Sequence, residues 1–242
     1  MLQTQTQDGI REITMDRADR GNALSAELVD ALLDAVNTAN ADAELHTLVL
    51  RGAGRNFCTG FDLSDLDQSS DGDLLLRFVR VEQLLGALWH SSLRTVSIAQ
   101  GRAWGAGADL FACCDHRIAA PDASFRFPGA GFGLVLGTRR LSERVGPDQA
   151  RRWIIEGVQV DAQTAQAAGM ATQITDAQDT MTALLAARPA IARDTAAAIR
   201  VATRPDHRAA DLSRLVESAA APGLRQRVVD YRDAMRGASG KR

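Results

Sequence analysis

Three features of the sequence predict an α/β fold with a helical C-terminal region. Segments typical of strands and of helices alternate over the first part of the chain, which is the pattern of an α/β body. Helical patterns dominate from about residue 138 onwards. The chain has 242 residues, 45% hydrophobic and 24% charged, which is the composition of an ordinary globular protein and enough length for one large domain.

Each predicted strand is either an alternation of apolar and polar residues or a short apolar run. The segment 10–15 alternates directly after the turn residues Asp8 and Gly9. The segment 46–52 is an apolar run that ends at the turn sequence "GAG". The remaining strands are predicted at 95–101, 116–120 and 124–127.

Apolar residues spaced three and four positions apart predict the helices. The first covers 25–39, with Ser25 as its N-cap, and Gly169 ends the one predicted at 161–168. Further helices are predicted at 73–90, from 106 onwards, at 138–145 and at 147–155, and several helices rich in Ala and Arg follow.

Charge and hydropathy argue against two classes of partner. A formal net charge of −2 lacks the excess of Lys and Arg with which proteins neutralise nucleic-acid phosphates. No apolar run approaches the roughly 18 residues of a membrane span, and the first residues lack the basic and apolar regions of a secretory signal. We therefore expect a cytoplasmic protein with neither nucleic acid nor membrane as a partner.

Motifs for common cofactors and nucleophiles are missing from the sequence. The segment "GAGRNF" at 52–57 follows a strand, but a dinucleotide fingerprint would need a glycine where Phe57 stands. There is no G-x-S-x-G serine-hydrolase elbow, and the His and Cys residues do not have the spacing of metal ligands. The sequence therefore predicts no metal site and three reduced, buried thiols.

The segment 101–115, "GRAWGAGADLFACCD", contains a glycine turn followed by the start of a helix. The first N–H groups of a helix have no internal partner, so small residues at Ala106 and Gly107 would let a ligand oxygen reach them. Asp109 lies three residues after Ala106, on the same helix face. The alternative is that Asp109 is only a first-turn acid favoured by the helix dipole.

A second turn strengthens the functional interpretation. The segment "NFCTGFDL" at 56–63 also follows a strand, and Gly60 would let its backbone approach a ligand closely. Two N–H donors from separate loops are what an oxyanion hole requires.

These segments together resemble the crotonase, or enoyl-CoA hydratase/isomerase, superfamily. "ITMDRADRGNALS" is similar to the family's R-P-x-x-x-N-A-L segment, and "LVLRGAGRNFCTGFDLSDL" to its F-x-A-G-A-D-L segment. "VSIAQGRAWGAGADLFACCDHRIAAPDASF" resembles the most specific block, A-x-x-G-x-A-x-G-G-G-x-E-L-x-x-x-C-D-x-x-x-A. With "VDAQTAQAAGMATQI" matching a later block, the resemblance covers about residues 10–174.

The resemblance implies a fold, an assembly and a substrate class. The fold would be a crotonase-type spiral of ββα units over residues 1–188, with a C-terminal helical oligomerisation region at 189–242. The protein would form a homotrimer or a dimer of trimers. Its substrate would be an acyl-CoA thioester, with coenzyme A present only as part of that substrate and no permanently bound cofactor.

The resemblance also assigns residues to the site. The thioester carbonyl oxygen would accept hydrogen bonds from the N–H groups of Phe61 and Ala106, with Asp109 as the catalytic acid of the site. The channel for CoA and pantetheine would be lined by Ala23, Leu24, Thr59, Gly60 and Gly105.

Three departures from the family pattern make the reaction itself uncertain from sequence. Asp109 stands in place of the first family glutamate, and Gly129 stands in place of the second. The loop after Gly133 is about three residues shorter than usual.

We predict an acyl-CoA-processing enzyme of fatty acid metabolism, of the enoyl-CoA hydratase/isomerase type and of the lyase or isomerase class. The open alternatives are a thioester hydrolase, a decarboxylase and a non-catalytic acyl-CoA-binding protein.

Overall fold

A computed structural model describes residues 1–175 and 191–239 of the chain, which form the predicted α/β fold. The strands are β1 Leu2–Gln7, β2 Ile10–Met15, β3 Thr47–Gly52, β4 Arg94–Ala99, β5 Arg102–Trp104, β6 His116–Ala119, β7 Ser124–Arg126, β8 Val160–Asp161 and β9 Gln173–Ile174. The helices are α1 Ala26–Ala41, α2 Asp71–Trp89, α3 Ala106–Cys113, α4 Thr138–Val145, α5 Pro147–Ile155, α6 Ala162–Ala167, α7 Arg193–Thr203, α8 Arg208–Ala219 and α9 Leu224–Ser239.

The larger sheet has the strand order β1-β2-β3-β4-β6-β9. Strands β2, β3, β4, β6 and β9 pair in parallel, whereas β1 and β2 form an antiparallel hairpin. The hairpin turns at Asp8 and Gly9, both with positive φ, as a tight two-residue turn requires. Strand β3 is almost fully buried, which explains its continuous apolar run.

Four strands were not predicted from the sequence: β1, β5, and the two-residue strands β8 and β9. Strand β1 has the polar sequence LQTQTQ and is almost entirely exposed, so it carries no hydrophobic pattern and forms by pairing with β2. Strand β5 has only three residues, and we interpreted its segment as part of a glycine turn. It pairs with β7, and β7 pairs with β8, to form a smaller three-stranded sheet.

The predicted helices α1 to α6 are confirmed, with their ends shifted by a few residues. Ser25 is the N-cap of α1 and accepts a hydrogen bond from the Leu28 N–H. Ser70 and Asp73 form a reciprocal capping box at the start of α2, which the sequence analysis had begun two residues later. Both helices bury an apolar face in the main core, which also contains α3.

A buried asparagine holds together the turns at the carboxyl ends of the strands. Asn22 is fully buried, and its amide group donates to the carbonyl oxygens of Ala53 at 2.9 Å and Asn56 at 2.8 Å. Its side-chain oxygen accepts from the Arg17 N–H at 2.9 Å. These bonds fix the segment that follows β3, from which the turn at residues 57–62 continues.

The helices after residue 190 pack against the body of their own chain. Leu215 of α8 and Val228 of α9 are fully buried in a second cluster with Phe78 and Leu134. In addition, Arg139 forms an ion pair with Asp211 of α8 at 2.6 Å. The predicted boundary between regions 1–188 and 189–242 lies outside the described residues, so this division of the chain stays a prediction.

Candidate active site

The two glycine turns that the sequence singles out are in direct backbone contact. Gly60 has a φ of +99° and Gly105 a φ of +55°, both in the region that favours glycine. A Cβ on Gly60 would lie 2.8 Å from the Trp104 carbonyl oxygen and 3.6 Å from the Gly105 Cα. A side chain at Gly60 would therefore push apart the turns that carry Phe61 and Ala106.

The backbone hydrogen bonds between Leu24 and the segment 60–62 do not use the N–H group of Phe61. The Leu24 N–H donates to the Gly60 carbonyl at 2.8 Å, and the Asp62 N–H donates to the Leu24 carbonyl at 3.1 Å. This parallel bridge uses the groups on either side of Phe61. Within residues 1–175 and 191–239, the Phe61 N–H has no acceptor.

The N–H of Ala106 is also available, for a different reason. Ala106 is the first residue of α3, and the first N–H groups of a helix have no intrahelical acceptor. None of the described residues supplies another acceptor for it. Two unpaired backbone donors thus lie on adjoining turns, and one of them is at the positive end of a helix dipole.

Gly107 has a different role from the one the sequence suggested. We had expected small residues at 106 and 107 to leave room for a ligand. A Cβ on Gly107 would instead overlap the Cys58 carbonyl oxygen and come within 2.8 Å of the Cys58 Cβ. Gly107 therefore lets α3 pack against the turn that follows β3, whereas Ala106 borders the ligand space.

A cavity of about 140 Å³ opens at the junction of the two turns. Residues of both turns and Asp109 line it, together with aromatic and aliphatic residues from other parts of the chain. The lining residues are Thr59, Gly60, Phe61, Leu63, Phe78, Trp104, Gly105, Ala106, Asp109, Phe127, Pro128, Gly129, Ala130, Phe132, Leu134, Leu136, Thr138, Ile154 and Tyr231.

Asp109 is a buried acid in this cavity, with only 6% of its surface exposed. Burial raises its pKa well above the usual range, an effect that Arg140 opposes and Glu82 reinforces. Arg140 donates two hydrogen bonds to Glu82, at 2.5 and 3.0 Å. This pairing reduces the stabilisation that the charge of Arg140 gives to an ionised Asp109. No described residue donates a hydrogen bond to the Asp109 carboxyl group, so the neutral, protonated form is favoured.

Because Gly137 has no side chain, the Asp109 side chain can occupy the space next to it. A Cβ on Gly137 would overlap the carboxyl group of Asp109 and lie 3.0 Å from the Asp109 Cβ. Gly137 has a φ of +69° and is the N-cap of α4. The sequence analysis missed this role, because residues 109 and 137 are brought together only by the tertiary fold.

The two predicted channel residues before α1 lie outside this cavity. Leu24 is fully buried and lines a neighbouring cleft of about 210 Å³, which shares Phe61 with the main cavity. Ala23 lines neither space, and its carbonyl accepts a hydrogen bond from Arg17. The other predicted channel residues, Thr59, Gly60 and Gly105, all line the main cavity.

Several lining residues were not predicted to belong to the site. Phe61 stacks on Phe78 with ring centroids 4.3 Å apart, and Phe78 in turn lies 6.3 Å from Phe132. Tyr231 reaches the cavity from α9, far along the chain. Helical periodicity marks such residues only as members of an apolar face, so the sequence gives no local signal for their position in the cavity.

The described residues form neither a cluster of metal ligands nor a helix that could span a membrane. Within residues 1–175 and 191–239, no group of three or more His, Cys, Asp and Glu side chains could hold a metal ion. In the same part of the chain, no helix has the length and apolarity needed to cross a membrane.

Comparison with known proteins shows which family the chain is similar to. A family model described as enoyl-CoA hydratase/isomerase matches residues 5–234. A Mycobacterium leprae protein named probable enoyl-CoA hydratase echA6 is 36% identical over 173 residues, which are 69% of this chain and 68% of that protein. The rat ethylmalonyl-CoA decarboxylase is 30% identical over 184 residues, covering 74% of this chain and 61% of the relative.

Solved structures extend the similarity to nearly the whole chain. A Bordetella parapertussis protein, whose crystal structure is described as an enoyl-CoA hydratase/isomerase, is 42% identical with a TM-score of 0.91. The match covers 95% of this chain and 97% of that one. An enoyl-CoA hydratase from Bacillus halodurans has the same fold, with a TM-score of 0.83 at 22% identity and coverage of 95% and 99%.

Replacing Gly137 with alanine is expected to lower the free energy of unfolding by about 2–4 kcal/mol. The new methyl group overlaps Asp109, and alanine is strained at a positive φ. Gly146→Ala is the matched control, because Gly146 ends the same helix with a φ of +82° and nothing within 4 Å of its Cβ position. Gly146 has a ψ of 156°, in a backbone region that is essentially restricted to glycine, so we expect this control to cost about 1–3 kcal/mol from backbone strain alone.

A double-mutant cycle measured by urea unfolding identifies the source of the extra cost. In an Asp109→Ala background, Gly137→Ala should cost no more than Gly146→Ala does, because the colliding carboxyl group is gone. An equal cost of Gly137→Ala in both backgrounds would contradict the assigned contact.

Proposed function

The chain belongs to the enoyl-CoA hydratase/isomerase family, and we propose that it polarises an acyl-CoA thioester between the N–H groups of Phe61 and Ala106. The family match and the similar proteins confirm three predictions. These are the family, the crotonase-type fold and an enzyme of the lyase or isomerase type. The observation that carries the proposal is the pair of unpaired backbone donors on touching turns, beside a cavity that contains a buried acid.

The proposed role of the two amides is to stabilise negative charge on the thioester oxygen. When a proton or another group leaves the α-carbon, its electron pair moves onto the carbonyl oxygen and forms an enolate. Fixed donors in a buried site stabilise that charge without having to reorient, and removing one such donor from an enzyme costs about 10²–10³-fold in rate. The positive end of the α3 dipole also stabilises this negative charge.

We propose that Asp109 transfers the proton at the α-carbon. It lies in the first turn of α3, one turn from Ala106, and its burial favours the protonated form. Among the described residues that line the cavity it is the single carboxyl group, since Gly129 has no side chain. Water addition needs a base for the water and an acid for the α-carbon. We therefore expect slow hydration of crotonyl-CoA, reduced by about 10²–10⁴-fold relative to a site with two carboxylates.

The coenzyme A part of the substrate is proposed to lie along Thr59, Gly60 and Gly105, towards the neighbouring cleft lined by Leu24. Phe61 lines both spaces, and in this proposal one extended ligand passes that side chain and occupies both. Ala23 would border this path with backbone atoms alone. In this proposal coenzyme A enters and leaves as part of the thioester, and no further cofactor is needed.

Decarboxylation is a second candidate reaction, favoured by the single buried acid. When a malonyl-type thioester loses CO2, the electron pair of the broken C–C bond forms the same enolate. One proton donor, here Asp109, then completes the reaction at the α-carbon. The similarity to the rat ethylmalonyl-CoA decarboxylase supports including this reaction in any assay.

The proposed assembly is a homotrimer or a dimer of trimers. Helix α7 exposes Ile199 at 51% and Val201 at 77%, apolar surface that a second copy of the chain could cover. Light scattering at micromolar concentration is expected to give a mass of three or six chains. A monomer under these conditions would rule the proposal out.

Asp109→Asn is expected to abolish turnover while leaving ligand binding intact. The amide keeps the shape of the side chain but cannot exchange the proton, so kcat should fall at least about 10²-fold. Crotonyl-CoA and methylmalonyl-CoA test hydration and decarboxylation, and butyryl-CoA reports binding alone. Asp34→Asn, an exposed acid on α1, is the matched control and should behave like the unmodified protein.

The pH dependence of the same assay tests the protonation state of Asp109. An acid with a raised pKa stays protonated to a higher pH than an ordinary aspartic acid, so activity should be present below the raised pKa and fall as pH rises through it. Activity that requires the carboxylate would instead rise with pH and contradict the assigned role. Tight binding of butyryl-CoA without turnover of any thioester would favour the non-catalytic binding protein.

A further inference from the structure

One aromatic side chain from the C-terminal helices forms part of the wall of the cavity. Tyr231 of α9 is the only tyrosine of the chain and lines the same cavity as Asp109. Its ring packs edge-on against Phe132, with centroids 5.2 Å apart. The ring also lies on Gly131, where a Cβ would come within 3.1 Å of Cδ2 and 3.3 Å of Cε2.

Helix α9 is firmly held in this position. Leu224 and Val228 are buried in the cluster that contains Phe78. Arg227, on the same helix, donates to the Phe132 carbonyl oxygen at 2.9 Å. The tyrosine ring is therefore fixed relative to the turn 128–132, which forms one wall of the cavity.

The Tyr231 hydroxyl has an unused hydrogen-bonding capacity. None of the described residues forms a hydrogen bond with it, whereas the Trp104 indole N–H in the same cavity donates to Ser124 at 3.2 Å. Burial raises the pKa of Tyr231, and the positive charge of Arg126 opposes that rise. A raised pKa keeps the phenol protonated at neutral pH, so the hydroxyl is available as a donor.

The position of this donor suggests which part of the ligand it meets. If the thioester carbonyl lies at Phe61 and Ala106 and the α-carbon faces Asp109, the next carbon must continue into the remaining space. Tyr231 and residues of the turn 128–132 line that cavity, where Gly129 adds no side chain. The other residues that line it from Phe127 onwards are mostly apolar: Phe127, Leu134, Leu136, Thr138 and Ile154.

We propose that the Tyr231 hydroxyl donates a hydrogen bond to an oxygen on carbon 3 of the acyl group, and that α9 thereby selects thioesters oxygenated at that carbon. The inference rests on the proposed binding of a thioester between Phe61 and Ala106. Two ligands share this chemistry. A 3-hydroxyacyl thioester carries a hydroxyl on carbon 3, and in a malonyl-type thioester carbon 3 is the carboxylate carbon.

The test compares three ligands by calorimetry, in Asp109→Asn protein so that they are not consumed. Butyryl-CoA lacks the oxygen, 3-hydroxybutyryl-CoA has a hydroxyl, and methylmalonyl-CoA has a carboxylate. Adding Tyr231→Phe should weaken hydroxybutyryl-CoA binding roughly three- to tenfold or methylmalonyl-CoA binding roughly ten- to a hundredfold. Butyryl-CoA binding should change less than twofold, and the ligand that weakens identifies the natural class.

Equal effects on all three ligands, or no effect on any, would overturn the inference. Failure of butyryl-CoA to bind even with Tyr231 present would instead contradict the proposed function, so the two failures are distinct. Urea unfolding of Tyr231→Phe should match that of the unmodified protein, because the hydroxyl has no partner to lose among the described residues.

A spectroscopic measurement tests the same contact without a substitution. Since the chain has one tyrosine, the tyrosinate absorbance during alkaline titration reports Tyr231 alone. A hydrogen bond from the protonated phenol to the ligand stabilises the protonated form, so the matching ligand should raise the titration midpoint above that with butyryl-CoA. The same midpoint with all three ligands would contradict the proposed hydrogen bond.

Discussion

The site depends on a close backbone contact between two turns, at Gly60 and at Trp104–Gly105. The turn at Gly60 comes after β3 of the larger sheet, whereas Gly105 directly follows β5 of the smaller sheet. A parallel bridge between Cys58 and Ala103 brings the two turns together. A side chain at Gly60 would collide with the Trp104 carbonyl oxygen and separate the turns that carry Phe61 and Ala106. This constraint involves main chain only, which explains why it tolerates alanine at position 106.

The same close packing sets the chemistry of the acid. Because Gly107 lies against Cys58, α3 is drawn into the core and carries Asp109 with it. Gly137 then leaves only the space that the carboxyl group needs. A buried acid of raised pKa follows from this packing, and so does the proposal that its protonated form is the active one.

The sequence was most informative where the chemistry is local. Glycine at a turn after a strand, as at Gly60 and Gly105, can be recognised because few other residues adopt a positive φ. The position of Asp109 on the face of Ala106 follows from helix geometry alone. The family resemblance gave the fold, and the main helices were predicted to within a few residues.

Features that depend on distant contacts could not be predicted. The contact of Gly137 with Asp109 joins residues 28 positions apart, and Tyr231 comes from a helix whose pattern shows only one apolar face. Strand β1 is polar and forms only because β2 provides a partner. In each case tertiary packing determines the partner, and a local sequence pattern carries no information about it.

The central claim is that two backbone amides polarise a thioester carbonyl, and vibrational spectroscopy of a bound ligand tests it most directly. Butyryl-CoA labelled with carbon-13 at the thioester carbonyl allows the bound C=O stretch to be isolated by infrared difference spectroscopy. The proposed hydrogen bonds from Phe61 and Ala106 would withdraw electron density from that bond, so its frequency in the complex should be lower than in water. A frequency equal to or higher than that in water would show that the amides do not engage the carbonyl oxygen, and would contradict this account of the site.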